Sequence, residues 1–200
     1  RNLAKMYMRW IQLASDPAYH EHLAQQSAEN FRIATMLSPS NADLWNEWAG
    51  LYQFLGDFDM ADQTLQRSLA VDQEYHVTWL IRGDVNLQSG NLEKAAQCYE
   101  EALKLKPSLP QVWRTLGSVY AQLGRIDEAV AALQQALELN PEASDAWDTH
   151  RILAIIYAQS GHNDVALPHA QMALQLAPED QQAMLQDLIA QIQPLEIPQP

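Results

Sequence analysis

Apolar and small residues recur three and four positions apart along most of the chain, which is the spacing of one face of an α-helix. Two such stretches cover residues 112–122 and 126–139. Gly124 lies between them and favours the end of the first helix, because a helix commonly closes on a residue with positive φ. Pro141 ends the second helix, since its ring removes a backbone donor. The pattern predicts a hairpin whose apolar face is formed by Trp113, Leu116, Gly117, Tyr120, Ala129, Val130, Leu133 and Leu137.

The hairpin pattern returns every 34 residues, which indicates a repeat protein. The recurring residues are tryptophans (Trp45, Trp79, Trp113), glycines (Gly56, Gly90, Gly124) and alanines (Ala61, Ala95, Ala129). A fourth unit arrives three residues late, because Gly124 and Gly161 are 37 residues apart. We predict repeats over residues 42–75, 76–109, 110–143 and 147–180, preceded by a degenerate repeat over residues 8–41.

The start of the chain departs from this pattern. Asp16 and Pro17 interrupt the first expected helix, so we predict a helix over residues 3–14, a break, and a longer helix over residues 17–37. Asp16 is expected to be the N-cap of the longer helix, with Pro17 at its first position.

The end of the chain departs from it as well. Residues 179–193 predict an amphipathic helix that caps the last hairpin, because a solenoid needs an element to cover its final apolar face. Residues 194–200 are predicted to form a proline-rich tail. We therefore expect residues 1–193 to form a single solenoid domain.

The charge balance excludes some classes of partner. The chain carries 25 acidic and 12 basic residues, which gives a formal net charge of −13. Nucleic acids and anionic membranes bind through Lys and Arg that neutralise phosphates, so neither is an expected partner. No stretch reaches the ~18 apolar residues of a membrane span, so no membrane insertion is expected within this fragment. Because the chain begins with Arg1 rather than Met, we expect it to be part of a longer protein.

The sequence contains no recognisable constellation for catalysis, and we expect no cofactor and no metal. His20 and His22 are two residues apart, and residues at that spacing face different sides of a helix. His162 and His169 can share a face, but no third ligand is near them in sequence. The single cysteine, Cys98, cannot form an internal disulfide and is expected to be a structural or surface thiol.

Two further expectations concern packing and capping. Trp10 and Trp48 fall on apolar helix faces and are expected to pack in the core. Asp57 and Asp59 are expected to cap the second helix of their hairpin, because short acidic side chains accept hydrogen bonds from the first turn of a helix.

The unit at residues 110–143 carries Trp113, Leu116, Gly117, Tyr120, Gly124, Ala129, Leu133, Ala136 and Pro141 in phase. These residues resemble the tetratricopeptide repeat (TPR) family, and the resemblance covers most of the chain. It implies an all-α superhelical solenoid of about five antiparallel helix hairpins with a C-terminal capping helix. It also implies that the first helix of each hairpin lines a concave groove.

The resemblance places a peptide-binding groove on those first helices. In this sequence the groove consists of Asn46, Glu47, Gln53, Leu80, Ile81, Asp84, Gln88, Arg114, Ser118, Gln122, Arg151, Ile155 and Gln159. The family can grip a C-terminal carboxylate with clustered basic and amide side chains, whereas the basic residues here are only Arg114 and Arg151. A neutral or basic protein or peptide is therefore the expected partner. Alternatively, these side chains are the solvated surface of a spacer.

Two functions fit the sequence. The first is a non-catalytic scaffold that binds a protein or peptide in the groove. The second is the extension of a bacterial membrane enzyme, because residues 44–48 and 147–151 resemble the repeat region of O-antigen ligase or polymerase-like proteins. In that case the chemistry lies outside this fragment, which is tethered to the inner membrane; otherwise the protein is cytoplasmic. Weak self-association through the end of the solenoid is a third option.

Overall fold

The computed structural model describes residues 6, 9–11, 13, 17–141 and 143–193. All regular secondary structure in these residues is helical, and consecutive helices pack as hairpins, which confirms the predicted fold class. The helices with defined bounds are α1 (Pro17–Leu37), α2 (Ala42–Phe54), α3 (Phe58–Val71), α4 (His76–Gln88), α5 (Leu92–Leu105), α6 (Pro110–Gln122), α7 (Ile126–Leu139), α8 (Ala146–Gln159), α9 (Asn163–Leu176) and α10 (Glu179–Ile192).

The predictions for the two chain ends fall largely outside the described residues. The helix predicted over residues 3–14 is described only at isolated positions. The Asp16 cap and the tail at residues 194–200 are not described. The longer helix predicted over residues 17–37 has the same bounds as α1.

The packing of the backbone divides the chain into two compact units, Arg1–Pro107 and Ser108–Pro200. We call them the N-terminal unit and the C-terminal unit. The N-terminal unit contains α1 to α5, and the C-terminal unit contains α6 to α10. The single solenoid predicted over residues 1–193 and the exact repeat boundaries stay predictions.

Four of the hairpin turns contain a glycine with a left-handed backbone. A residue with a Cβ rarely adopts this conformation, which explains why glycine recurs. In the first of these turns the N–H of Asp57 donates to the carbonyl of Tyr52 at 2.9 Å, and this bond closes the end of α2. The helix end predicted at Gly124 is confirmed by its φ of +75°. The corresponding angles are +76° at Gly56, +80° at Gly90 and +79° at Gly161.

Asp57 and Trp48 behave as predicted, whereas Asp59 and Trp10 do not. The Asp57 carboxylate accepts a backbone N–H of α3 at 3.1 Å, while Asp59 lies in the first turn and is not the cap. The half-buried ring of Trp48 stacks on aromatic rings of α1 and α2, with centroids 5.7 to 6.4 Å away. Trp10 is 47% exposed because its neighbour Ile11 faces the core instead, so the core position predicted for Trp10 is wrong.

Glycine at the eighth position of two first helices lets each helix approach its partner closely. A Cβ on Gly83 of α4 would lie 2.6 Å from the ring of Tyr99 in α5. A Cβ on Gly117 of α6 would lie 2.6 Å from Leu133 in α7. Both distances are shorter than van der Waals contact, so these two hairpins are packed around the missing side chain.

α10 covers the last hairpin of the C-terminal unit, as predicted for a capping helix. Ile192 is buried against Ala154 of α8 and against Ala166 and Ala170 of α9. The Asn163 side chain donates to the carbonyl of Ile192 at 3.1 Å. The apolar face of the α8–α9 hairpin is thereby removed from water.

Candidate peptide-binding surface

The residues of the predicted groove lie on first helices, two in each unit. The structure brings α2 against α4 in the N-terminal unit and α6 against α8 in the C-terminal unit. α2 carries Asn46, Glu47 and Gln53; α4 carries Leu80, Ile81, Asp84 and Gln88; α6 carries Arg114, Ser118 and Gln122; α8 carries Arg151, Ile155 and Gln159. Four of them (Asp84, Gln88, Gln122, Gln159) are exposed, Asn46 is buried and the others are half-buried.

Asn46 is part of a buried chain of hydrogen bonds that joins three helices. Its amide donates to the Thr78 hydroxyl of α4 at 3.0 Å. The Ser68 hydroxyl of α3 donates to the Ala42 carbonyl at 3.1 Å, so the Thr78 hydroxyl is left to donate to Ser68, also at 3.0 Å. Asn46 is 6% exposed, and its place in this chain is structural.

Ile81 also takes part in packing within the unit. It packs against a buried cluster that includes Ala49 and Leu65. Leu80 is half-buried beside it, and consecutive helical residues face different directions. Of the pair, Leu80 stays the predicted apolar contact for a ligand.

The carboxylate of Asp84 is hydrogen-bonded to a buried tyrosine. The Tyr99 hydroxyl donates to the Asp84 carboxylate at 2.7 Å. Asp84 is exposed as a whole residue, but desolvation of its carboxylate raises the pKa of Asp84, and the hydrogen bond from Tyr99 opposes that shift. Burial, together with this hydrogen bond, raises the pKa of Tyr99, so its hydroxyl remains a donor. Asp84 and the half-buried Glu47 thus place carboxylates on the two neighbouring first helices.

A half-buried polar cluster between α3 and α4 was not expected from the sequence. The Arg82 guanidinium donates to the Asp62 carboxylate at 2.7 Å, and the Asn86 amide donates to the same group at 3.2 Å. Burial alone would raise the pKa of Asp62, but its hydrogen bonds outweigh burial and lower the pKa. Burial raises the pKa of the nearby Cys98 to about 11, so it is a protonated thiol at neutral pH. Cys98, which was predicted to be a structural or surface thiol, is buried on α5.

In the C-terminal unit the two predicted basic residues are bound to internal carboxylates. Asp148 lies between them, with Arg114 donating to it at 3.1 Å and Arg151 donating to it at 2.6 and 2.9 Å. Arg114 also pairs with Asp145 at 2.9 Å. The four side chains form a network without net charge. One signal of this network is present in the sequence, since Asp148 and Arg151 are three apart on one helix.

The connection before α8, the first helix of the fourth unit, is longer than the corresponding connection before α6. Residues 140–145 join α7 to α8, whereas residues 106–109 join α5 to α6. Asp145 occupies the N-cap position of α8 at the end of this longer connection. The connection therefore supplies one of the two carboxylates that bind Arg114.

Neither a metal site nor a membrane span is found in the part of the chain that the structure describes. No three potential ligands among histidine, cysteine, aspartate and glutamate come together there. None of the helices in the same ranges has the length and apolar character needed to cross a bilayer.

Two models of tetratricopeptide repeats match the chain, one over residues 40–108 and the other over residues 81–154. Together they span more than half of the sequence. The chain belongs to the tetratricopeptide repeat family. The glycine turns, the packed small residues and the consecutive hairpins described above are the physical counterpart of that match.

Solved TPR structures share this fold at low sequence identity. A crystal structure of MamA is 18% identical, covers 82% of this chain and 93% of its own, and has a TM-score of 0.70. MamA 41-end from Desulfovibrio magneticus RS-1 is 17% identical, covers 86% and 94%, and has a TM-score of 0.68. YrrB, described as a TPR protein with an unusual peptide-binding site, is 20% identical, covers 85% and 95%, and has a TM-score of 0.66.

No curated protein sequence matches this TPR chain. The resemblance of residues 44–48 and 147–151 to O-antigen ligase or polymerase-like proteins therefore stays a prediction.

Proposed function

We propose that this TPR chain is a non-catalytic scaffold that binds an extended segment of a partner protein along the first helices of its repeats. The observation that carries the proposal is the composition of the surface on α2 and α4. There α4 carries Leu80, Asp84 and Gln88 four residues apart, and the neighbouring α2 carries the carboxylate of Glu47. The fold shared with YrrB, whose description includes a peptide-binding site, supports the same function.

The charges of the surface favour a neutral or basic segment. Arg114 and Arg151 are each bound to Asp148, so they are not available to a ligand without breaking an internal ion pair. Asp84 lies four residues after Leu80 on α4, and Glu47 lies on the neighbouring helix α2. We therefore expect a partner segment with Lys or Arg next to an apolar residue, because opposite charges steer the encounter and fix the register.

The proposal can be tested with a displayed library of random peptides selected on the full chain. We expect the selected peptides to be enriched in segments that combine a basic and an apolar residue. The variant Glu47→Lys/Leu80→Asp should weaken binding of a selected peptide at least about tenfold in fluorescence anisotropy, since ~1.4 kcal/mol corresponds to a factor of ten.

Glu93→Lys is the control for the charge reversal at Glu47, because it makes that one change at an exposed position of the second helix α5. It should leave the affinity within about twofold, as expected of a charge remote from the contact. Binding that survives the double variant would place the ligand on another surface. Selection of acidic peptides would contradict the proposed partner class.

A further inference from the structure

Two half-buried histidines face each other between α8 and α9. The Nδ1 atoms of His150 and His169 are 2.9 Å apart, and the ring centroids are 5.2 Å apart. The centroid separation exceeds the nitrogen separation by about one ring width, so both nitrogens lie between the rings and point toward each other. The ring of Tyr157 stacks on the ring of His169, with centroids 5.7 Å apart. The sequence indicated only that His162 and His169 can share a helix face, and the structure places His150 beside His169.

The geometry limits how many protons the pair can hold. A neutral imidazole has one nitrogen that donates and one that accepts. A hydrogen bond between two Nδ1 atoms therefore needs a proton on one of them and a lone pair on the other. This condition is met when the pair is neutral or singly charged. When both rings are protonated, two N–H groups and two positive charges oppose each other at 2.9 Å.

The surroundings of the pair do not offset that repulsion. Burial lowers the pKa of both rings, and the charge of His169 lowers the pKa of His150 further. No carboxylate contributes to either shift. The Gln134 amide of α7 reaches the Tyr157 hydroxyl at 3.5 Å. The charged residues on α7 to α10, the elements around the pair, are Asp127, Glu128, Glu138, Asp148, Arg151, Asp164, Glu179, Asp180 and Asp187.

We propose that His150 and His169 form a pH-sensitive latch that holds α8 against α9 at neutral pH and releases it on acidification. In the open hairpin each ring titrates with its ordinary pKa of about 6.5. The closed hairpin, in which the two Nδ1 atoms are in contact, binds fewer protons, because the charge on one ring opposes protonation of the other. The latch therefore stabilises the hairpin fully above about pH 6.5 and loses that contribution as the pH falls toward the lowered pKa values of the closed state. This proposal does not depend on the proposed function.

Amide hydrogen exchange of the full chain, read by mass spectrometry, tests the latch. Protection of α8 and α9 should fall about tenfold more than protection of α4 and α5 between about pH 7.5 and pH 5.5, after correction for the intrinsic exchange rate. The α4–α5 hairpin is a suitable internal reference because no histidine pair is described within it. An equal change of protection in both hairpins would overturn the proposal.

A single substitution separates the latch from general acid sensitivity. In His169→Asn the new amide can accept from His150 whether that ring is neutral or charged, so the specific loss of protection should disappear. The matched control His162→Asn changes an exposed histidine next to α9 and should retain the loss. A pH-specific loss that persists in His169→Asn would contradict the latch.

The titration of the wild-type rings gives a test that needs no variant. In NMR spectra, one ring of the pair should titrate clearly below the ordinary value of about 6.5, and its midpoint should differ from that of the other ring. Two independent titrations at the ordinary value would overturn the proposal, even if His169→Asn failed to fold.

Discussion

In each unit the fifth residue of a first helix contacts the next first helix, through neutral groups in the N-terminal unit and through charged groups in the C-terminal unit. Asn46 and Arg114 are each the fifth residue of their helices, α2 and α6. Asn46 donates to Thr78 in a buried chain of neutral groups. Arg114 instead pairs with Asp145 and Asp148, and its side chain is 27% exposed.

The difference shows which property of a junction the TPR fold requires. Both junctions hold neighbouring first helices together, so the fold accepts neutral or charged partners at this position. The two solutions respond differently to their surroundings. A buried hydroxyl chain is shielded from salt, whereas partly exposed ion pairs weaken as ionic strength rises.

The largest expected effect concerns a hairpin in each unit whose two helices are packed around a glycine. Gly83→Leu and Gly117→Leu should each lower the free energy of unfolding by about 3 kcal/mol, because the new side chain is forced into Tyr99 or Leu133. Gly50→Leu is the control, since a Cβ there meets nothing within 4 Å. Urea unfolding of the three variants measures the effect. Equal stability of all three would show that the close approach at these positions does not constrain the fold.

A smaller loss is expected from the charged junction. Asp148→Asn leaves Arg151 without the carboxylate that accepts its two hydrogen bonds, and it should cost about 2 kcal/mol in urea unfolding at low salt. The loss should shrink at about 1 M salt, where the screening length is only ~3 Å. Asp187→Asn, an exposed position on α10, is the matched control and should have little effect. A loss that is the same at both salt concentrations would show that the network does not act through charge.

The smallest loss is expected from the neutral junction. Thr78→Val keeps the shape but removes the hydroxyl that joins Asn46 to Ser68, and it should cost about 1 kcal/mol at low and at high salt. Thr115→Val is the control, because the Thr115 hydroxyl bonds only to a carbonyl of its own helix in the described contacts. If the loss of stability caused by Thr78→Val depended strongly on salt concentration, the contrast between the two junctions would disappear.

The sequence by itself determined the helices, their pairing and the family. The 34-residue period sets which residues face a partner helix, and glycines with positive φ set where the first helices end. These features depend on residues three or four apart, which is why a periodic pattern reveals them. The same reasoning predicted the cap at Asp57 and the C-terminal helix, but it could not tell whether Trp10 or its neighbour Ile11 faces the core.

Only the tertiary structure decided which polar side chains meet. Asn46 bonds to Thr78, Arg114 to Asp148, and His150 to His169, and these partners are 32, 34 and 19 residues apart. Each contact depends on the register of two helices and on the rotamers of both side chains. The longer connection before α8, which places Asp145 at Arg114, adds to this dependence. Hydrophobic periodicity constrains the faces that are buried, whereas the choice among polar partners is made only when the helices pack.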